Sequence, residues 1–486
     1  MKCKKIISIF MVACIMVFSV SCSPADEPSI SSSTSSQEET SNSEDPATDG
    51  AGQSEESETS QTQSLSEQDL QTIAKNCTDA LLDAEFTTVY EYFGSLLKLQ
   101  LSTEALQSAW EQTIAGQGDF QEIVSDEILE NNGLSTVQNI LRYEKTGIRI
   151  SYTFDQAGQI QGLWFGYTTI SDGPESTEIF TEYPIEIGTG EIKLGGFLTL
   201  PNGIEKPPVI ILIQGSGQSD RNETVGAAGN APFRDLAHGL AAQGIATIRY
   251  DKRYFAFPEL VPDGGLSLTI EDEVLEDAGD AVRFAAEDGR VDADRIYLLG
   301  HSMGGMLAPK IAADHPEIQG IISMAGTLRK LEDLMLDQNR EALASMDNLS
   351  EEERQTVLQQ VEEQVQKIKN LQPGQEPELL MGAYSPYWLS LNAIDSQALV
   401  QSLSIPMLIM QGGMDFQVYP DPDYLLWQET LQDRNNVSFQ FYDHLNHLFM
   451  PSSGKRDVSD YDTANQVDPQ VIADIAAWIH SLAVHP

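Results

Sequence analysis

The stretch Leu298-Leu299-Gly300-His301-Ser302-Met303-Gly304-Gly305 constrains the fold more than any other part of the chain. An apolar run containing Ile296, Leu298 and Leu299 reads as a buried strand. It stops at a serine bracketed by glycines and passes into helix-forming residues, so the pattern predicts a strand, a sharp turn and a helix. Gly300 and Gly304 leave room for a cramped turn in which Ser302 is strained and its hydroxyl presented rather than packed. At ordinary Gly and Ser frequencies this pattern arises by chance in roughly one chain in six of this length. Context must therefore decide whether the turn carries chemistry.

The surrounding segments alternate in a regular way. After Gly173-Pro174, strand patterns run over 181–187 and 191–200, and Val209-Ile210-Ile211-Leu212-Ile213 has the continuous apolar character of a strand buried on both faces. Further apolar strands are expected at 245–248, 296–299, 318–324, 407–410 and 437–442. Helical patterns intervene at 231–243, 271–286, 306–313 and 469–482. Strands alternating with helices predict an α/β fold with a doubly wound, mostly parallel sheet flanked by helices, in which chemistry gathers at the carboxyl ends of the strands.

Those ends carry the candidates. Gln214-Gly215-Ser216-Gly217 follows one strand, and such a loop can aim the Ser216 N–H at a developing oxyanion, with the Met303 N–H as second donor. Ser302 as a free alcohol needs a base. Of seven histidines, His444 and His447 follow the last strand, and His447 lies further into its loop, where the chain can fold back over the serine. His301 is expected to turn away from the nucleophile. Asp415, in Gln411-Gly412-Gly413-Met414-Asp415, is the acid that would orient the base, with Asp443 as the alternative.

In these pieces the chain resembles the α/β-hydrolase superfamily, and within it the secreted serine esterases and serine aminopeptidase-like hydrolases. The matching motifs are Gly215-Ser216-Gly217 with Asp220-Arg221, Tyr250-Asp251-Lys252-Arg253, Gly300-His301-Ser302-Met303-Gly304, Ser385-Pro386-Tyr387-Trp388, Gly412 to Asp415, and Asn446-His447-Leu448-Phe449. The order Ser302, Asp415, His447 is that of the superfamily. The resemblance implies an α/β-hydrolase domain over 175–486 that cleaves carboxylic esters through an acyl-enzyme, with peptidase or amidase activity and a catalytically silent surface binding protein as alternatives. A helical cap is expected at 327–395, with capping-box spacing at Ser350-Glu351-Glu352-Glu353. Tyr384, Tyr387 and Trp388, with Met335, are candidates for the substrate pocket, as is Tyr254, which stands where relatives often have glycine. The chemistry requires no metal or organic cofactor.

The first part of the chain reads differently. Lys2, Lys4 and Lys5 precede an apolar stretch over 6–20, which predicts an export signal over 1–22. Ser19-Val20-Ser21-Cys22 resembles a bacterial lipobox and implies acylation at Cys22, giving an outward-facing membrane lipoprotein. Ser19 and Ser21 also fit ordinary cleavage to a secreted soluble protein. Residues 23–64 are rich in Ser, Thr and acidic residues and contain no Lys or Arg, so they cannot bury a core and read as a tether. A small α+β domain is expected over 65–172, with helices at 70–86 and 103–115 and strands at 149–154 and 162–168. It resembles a helix-then-sheet domain of unknown function that precedes secreted hydrolases, and no partner for it can be read. Cys77, in a helical pattern, is expected to be a buried structural thiol. A net charge of −46 excludes a nucleic-acid footprint, leaving a small-molecule ester as the expected partner and the lipid anchor as the only membrane contact.

Overall fold

The computed structural model describes residues 65–482 apart from 132–133, 145–146, 169–172, 191, 227 and 347–348. The export segment, Cys22 and the tether expected over 1–64 lie outside the described residues. The described chain opens with α1 (Glu67–Leu82), started by a reciprocal capping box between Ser66 and Asp69. Three short helices follow: α2 (Phe86–Glu91), α3 (Ser95–Gln100) and α4 (Thr103–Ile114). The chain then forms an antiparallel meander of β1 (Phe120–Asn131), β2 (Leu134–Tyr143), β3 (Gly147–Phe154) and β4 (Ile160–Thr168). The first two strands were not anticipated, because charged residues such as Glu122 and Glu130 dilute the apolar alternation of β1.

One face of this sheet carries Val137, Ile148, Ile150, Tyr152 and Phe154, which pack against Ala74, Cys77 and Leu81 of α1 and Trp110 of α4. Burial pushes the Cys77 thiol up to about 12, so it packs as a small hydrophobe. By the two-residue alternation of a strand, the opposite face carries Thr136, Gln138, Arg149 and Ser151, and these too are buried. Arg149 reaches out of that face, hydrogen-bonding the Phe255 carbonyl and placing its guanidinium 4.4 Å from the centre of the Phe255 ring.

Phe255 belongs to the second, larger unit. Its elements are β5 (Phe180–Ile187), β6 (Leu194–Pro201), β7 (Val209–Ile213), α5 (Pro232–Ala241), β8 (Ala246–Tyr250), α6 (Arg253–Ala256), α7 (Glu276–Glu287), β9 (Ile296–His301), α8 (Met303–Asp314) and β10 (Ile318–Met324). The insertion follows, with α9 (Leu331–Ser345), α10 (Glu351–Lys369), the short hairpin β11 (Leu379–Leu380) and β12 (Ala383–Tyr384), α11 (Ser385–Asn392) and α12 (Ser396–Ser402). The chain closes with β13 (Met407–Gly412), α13 (Leu425–Leu431), β14 (Val437–Tyr442) and α14 (Pro469–Ser481). The eight-stranded sheet has the order β14-β13-β10-β9-β7-β8-β6-β5. Its pairings are parallel from β8 through β14, while β6 runs antiparallel to both β8 and β5.

The continuous apolar runs are explained by helices on both faces. Val209, Ile211, Ile213 and Leu298 point to the side of Val282 on α7 and Leu307 and Ile311 on α8. Their neighbours Ile210, Leu212, Tyr297 and Leu299 meet Phe233 and Leu236 on α5 and Val471, Ile475 and Trp478 on α14. No strand of this centre has a wet face, so strict alternation is absent. In the cap, α10 begins with the expected capping box at Ser350 and Glu353 and buries Val357, Val361, Val365 and Ile368.

At the antiparallel end of the sheet, Glu182 of β5 sits between Arg249 and His238. Its Oε1 lies 2.6 Å from Arg249 Nη2 and 2.8 Å from His238 Nε2. Burial pushes the carboxyl up, but these partners and the Glu175 N–H outweigh it and hold its pKa at about 2. A carboxylate depressed from an ordinary 4.5 contributes stability that is complete above 4.5 and disappears as pH falls through about 2. Glu182→Gln is therefore expected to cost on the order of 3 kcal/mol at pH 7. In urea melts at pH 7, 4 and 2.5, the difference from the unsubstituted protein should narrow progressively as pH falls.

Candidate active site

Ser302 sits at the junction of β9 and α8 with φ 53° and ψ −115°, left-handed backbone that a side chain rarely adopts. Its N–H donates to the Met324 carbonyl at 2.8 Å. The turn is possible because its neighbours lack a Cβ. A Cβ on Gly300 would lie 2.1 Å from the Gly304 carbonyl oxygen, and one on Gly304 would lie 2.2 Å from the Ile213 carbonyl oxygen of β7. α8 is thus pressed onto the ends of two strands, with Met303 opening it, where first-turn N–H groups have no acceptor within the helix.

The loop after β7 comes alongside. A Cβ on Gly215 would lie 3.2 Å from the Ser302 Cβ, so Ser216, the next residue, is brought to the edge of the Ser302 turn. The loops after β13 and β14 meet there as well. His447 Nδ1 lies 2.8 Å from Asp415 Oδ2, and both residues are buried. Asp415 is held from every side: Oδ1 accepts the Gln417 and Val418 N–H groups at 2.8 and 2.9 Å, and Oδ2 also accepts Gln411 Nε2 at 3.0 Å. A carboxylate only accepts, so the imidazole Nδ1–H is the donor to Asp415. The rivals are elsewhere. His444 is exposed, 3.5 Å from Asp468, and Asp443 is exposed beside it.

His301 neither faces solvent nor stands idle. Its Nε2 bonds the His447 carbonyl at 2.9 Å and its Nδ1 lies 3.0 Å from Glu223 Oε1. Burial disfavours its charged form, but the Glu223 carboxylate, the His447 carbonyl and the Asp415 charge outweigh burial and hold its pKa above the usual histidine value. Glu223, itself at φ 52°, also accepts the Gly215 N–H at 2.6 Å. One carboxylate therefore ties the loop after β7 to the loop after β14.

The pocket candidates separate. Tyr387 Oη lies 3.5 Å from the Met303 sulfur and donates to Glu273 Oε2 at 2.7 Å, so it reaches the strand-to-helix elbow formed by Ser302 and Met303. Trp388 is buried inside the cap, its indole N–H donating to the Leu380 and Ala383 carbonyls at 2.8 and 3.3 Å. Tyr254 and Met335 are buried, and Tyr384 is half-buried, facing Gly265.

Residues 230–451 match the family described as serine aminopeptidase, S33, and residues 74–163 match a protein of unknown function, DUF3887. Over 408 residues the chain is 33% identical to esterase EstD of Thermotoga maritima, covering 82% of this chain and 92% of that one. The chain belongs to the α/β-hydrolase family. Among solved structures, the hydrolase is similar to Est1E from Butyrivibrio proteoclasticus, with 18% identity, 61% of this chain and 95% of that chain covered, and a TM-score of 0.37. It is also similar to the Pyrococcus furiosus esterase Pf2001, with 15% identity, 62% and 91% coverage, and a TM-score of 0.39.

Sequence reasoning about this hydrolase missed Glu223, Glu273 and the use of Lys252. Lys252 lies in the motif Tyr250-Asp251-Lys252-Arg253, yet its partners are Gly215 O, Gly217 O and Glu273 Oε1, which only the tertiary fold assembles. The glycine at 304 yields a direct test of the elbow. Gly304→Ala places a methyl group against backbone oxygens of β7 that cannot rotate away. It is expected to lower stability by roughly 2 kcal/mol or more and to abolish ester turnover, as checked by thermal melts and initial rates.

Proposed function

We propose that this hydrolase is a serine carboxylesterase. The observation that supports the reading best is the 2.8 Å contact between His447 Nδ1 and Asp415 Oδ2, held at the same strand edge as the strained turn of Ser302. With its Nδ1–H on Asp415, the imidazole keeps Nε2 free as a base. In the proposed cycle His447 takes the Ser302 proton as Oγ attacks the ester carbonyl. The carbonyl oxygen gains charge and is held by the Ser216 and Met303 N–H groups. Collapse breaks the C–O bond, and His447 returns the proton to the departing alcohol. Water then repeats the sequence on the acyl-enzyme and releases the acid. EstD is named an esterase, which favours ester over amide as the bond cleaved.

The test is labelling with a fluorophosphonate, followed by turnover on nitrophenyl esters of graded chain length and on aminoacyl amides. Wild type should label at Ser302 and hydrolyse esters faster than amides. Ser302→Ala should neither label nor turn over, with a loss of at least about 1,000-fold. Equal labelling of wild type and Ser302→Ala would exclude Ser302 as the nucleophile, and faster amide turnover would favour a peptidase.

For location, the proposal is an exported lipoprotein acylated at Cys22, with 23–64 as the tether, supported by Ser19-Val20-Ser21-Cys22 behind a basic and apolar leader. In detergent partitioning of the full chain, wild type is expected in the detergent phase and Cys22→Ala in the aqueous phase. Unchanged partitioning would count against acylation.

A further inference from the structure

In a planar trans peptide the C=O and N–H of one unit point in opposite directions. The unit joining Gly215 to Ser216 carries the N–H that the esterase reading assigns to the oxyanion. Its other end is fixed: the Gly215 carbonyl accepts from Lys252 Nζ at 3.0 Å. The same ammonium donates to the Gly217 carbonyl at 2.7 Å and to Glu273 Oε1 at 2.9 Å. Lys252 is buried, and these three acceptors match the three donors of an ammonium. From the other side, Glu223 Oε1 accepts the Gly215 N–H at 2.6 Å, so the unit before it is held too.

We propose that Lys252 is a positioning residue for the oxyanion site, and that Glu273, with the Tyr387 hydroxyl on its second oxygen, extends this control to the cap. The inference rests on the serine-esterase reading, with Ser216 and Met303 as donors. By drawing the Gly215 carbonyl towards itself, the ammonium turns the Ser216 N–H the opposite way. A positive charge on a carbonyl oxygen also withdraws electron density from its own amide, making that N–H a stronger donor. Glu273 supplies the counter-charge that a buried lysine requires. Tyr387 of α11 donates to the second oxygen of Glu273 at 2.7 Å and lies 3.5 Å from the Met303 sulfur. One cap side chain is thus linked to both donor residues, to Met303 through its sulfur and to Ser216 through Glu273, Lys252 and the Gly215 carbonyl.

A residue that only supports folding would change the amount of active protein. One that aims an oxyanion donor changes how well the site holds the transition state, with little effect on ground-state binding. The experiment uses the full chain as wild type, Ser302→Ala, Lys252→Met, Lys252→Arg and Tyr387→Phe. It measures kcat and KM on nitrophenyl butyrate and the inhibition constant of phenylboronic acid, a tetrahedral mimic that places an oxygen in the oxyanion site. Lys252→Met is expected to lower kcat by about 30- to 100-fold with KM within about threefold, and to weaken the boronic acid in proportion. Tyr387→Phe should show the same pattern at about three- to fivefold. Arginine presents a planar fork to acceptors arranged around an ammonium, so Lys252→Arg should not restore kcat.

A Lys252→Met protein that keeps kcat within twofold, or that loses kcat while boronic acid inhibition is unchanged, overturns the inference. If that variant fails to fold, wild-type kcat in both Lys252→Arg and Tyr387→Phe overturns it, and parallel losses of kcat and boronic acid affinity in them support it. Turnover that survives Ser302→Ala overturns the serine-esterase reading and this inference with it. A wild-type-like Lys252→Met beside an inactive Ser302→Ala overturns this inference alone.

Discussion

The close approach of α8 to β7 and β9 is the constraint on which the rest of the larger unit depends. Positions 300 and 304 admit no Cβ, because each would put a carbon about 2 Å from a backbone carbonyl oxygen. That contact forces Ser302 into left-handed backbone and starts a helix at Met303, so the serine and the first N–H of a helix come together at one place. The apolar sheet beneath, with helices on both faces, holds the strands whose ends supply every other group. Local strain at residue 302 is maintained by the packing around it.

The strand ends are bound to one another by charge as well as by packing. Glu223 bridges the loop after β7 to His301, which holds the carbonyl of His447. Asp415 accepts from two backbone N–H groups and the Gln411 amide, which leaves its Oδ2 one direction for the imidazole. Such a carboxylate has little freedom to rotate, so the orientation of His447 is set by loop backbone rather than by a flexible side chain. The cost of burying these charges is offset because each meets a partner of opposite sign or several N–H groups.

Much of this was legible in the sequence, for a physical reason. A strand buried on both faces leaves an unbroken apolar run, and Val209–Ile213 announced itself in that way. Ser216, Ser302, Asp415 and His447 could be nominated because each follows such a run by only a few residues. The supporting charges could not be found like this. Lys252 meets Glu273 across 21 positions and Gly215 across 37, and nothing local distinguishes either from the many solvated charges of the chain. The aromatics of α11 are adjacent in sequence, yet Tyr387 reaches the elbow while Trp388 packs within the cap. In the smaller unit, β1 and β2 were invisible because their pairing, not their composition, makes them strands.

The contact between Arg149 and Phe255 bears on what counts as a unit. Residues 74–163 and 230–451 match two different family models, so in sequence they are modules. By solvent they are not. The polar face of the meander, with Thr136, Gln138 and Ser151, is sealed from water, and Arg149 crosses from it onto α6, the helix that directly follows Lys252. Excising the smaller unit would leave the Phe255 carbonyl and ring without that guanidinium, one turn from the lysine beneath the Gly215 loop. The boundary between the two matched segments is therefore crossed by the Arg149 guanidinium, and a cut there would take a hydrogen bond and a ring contact from the larger unit.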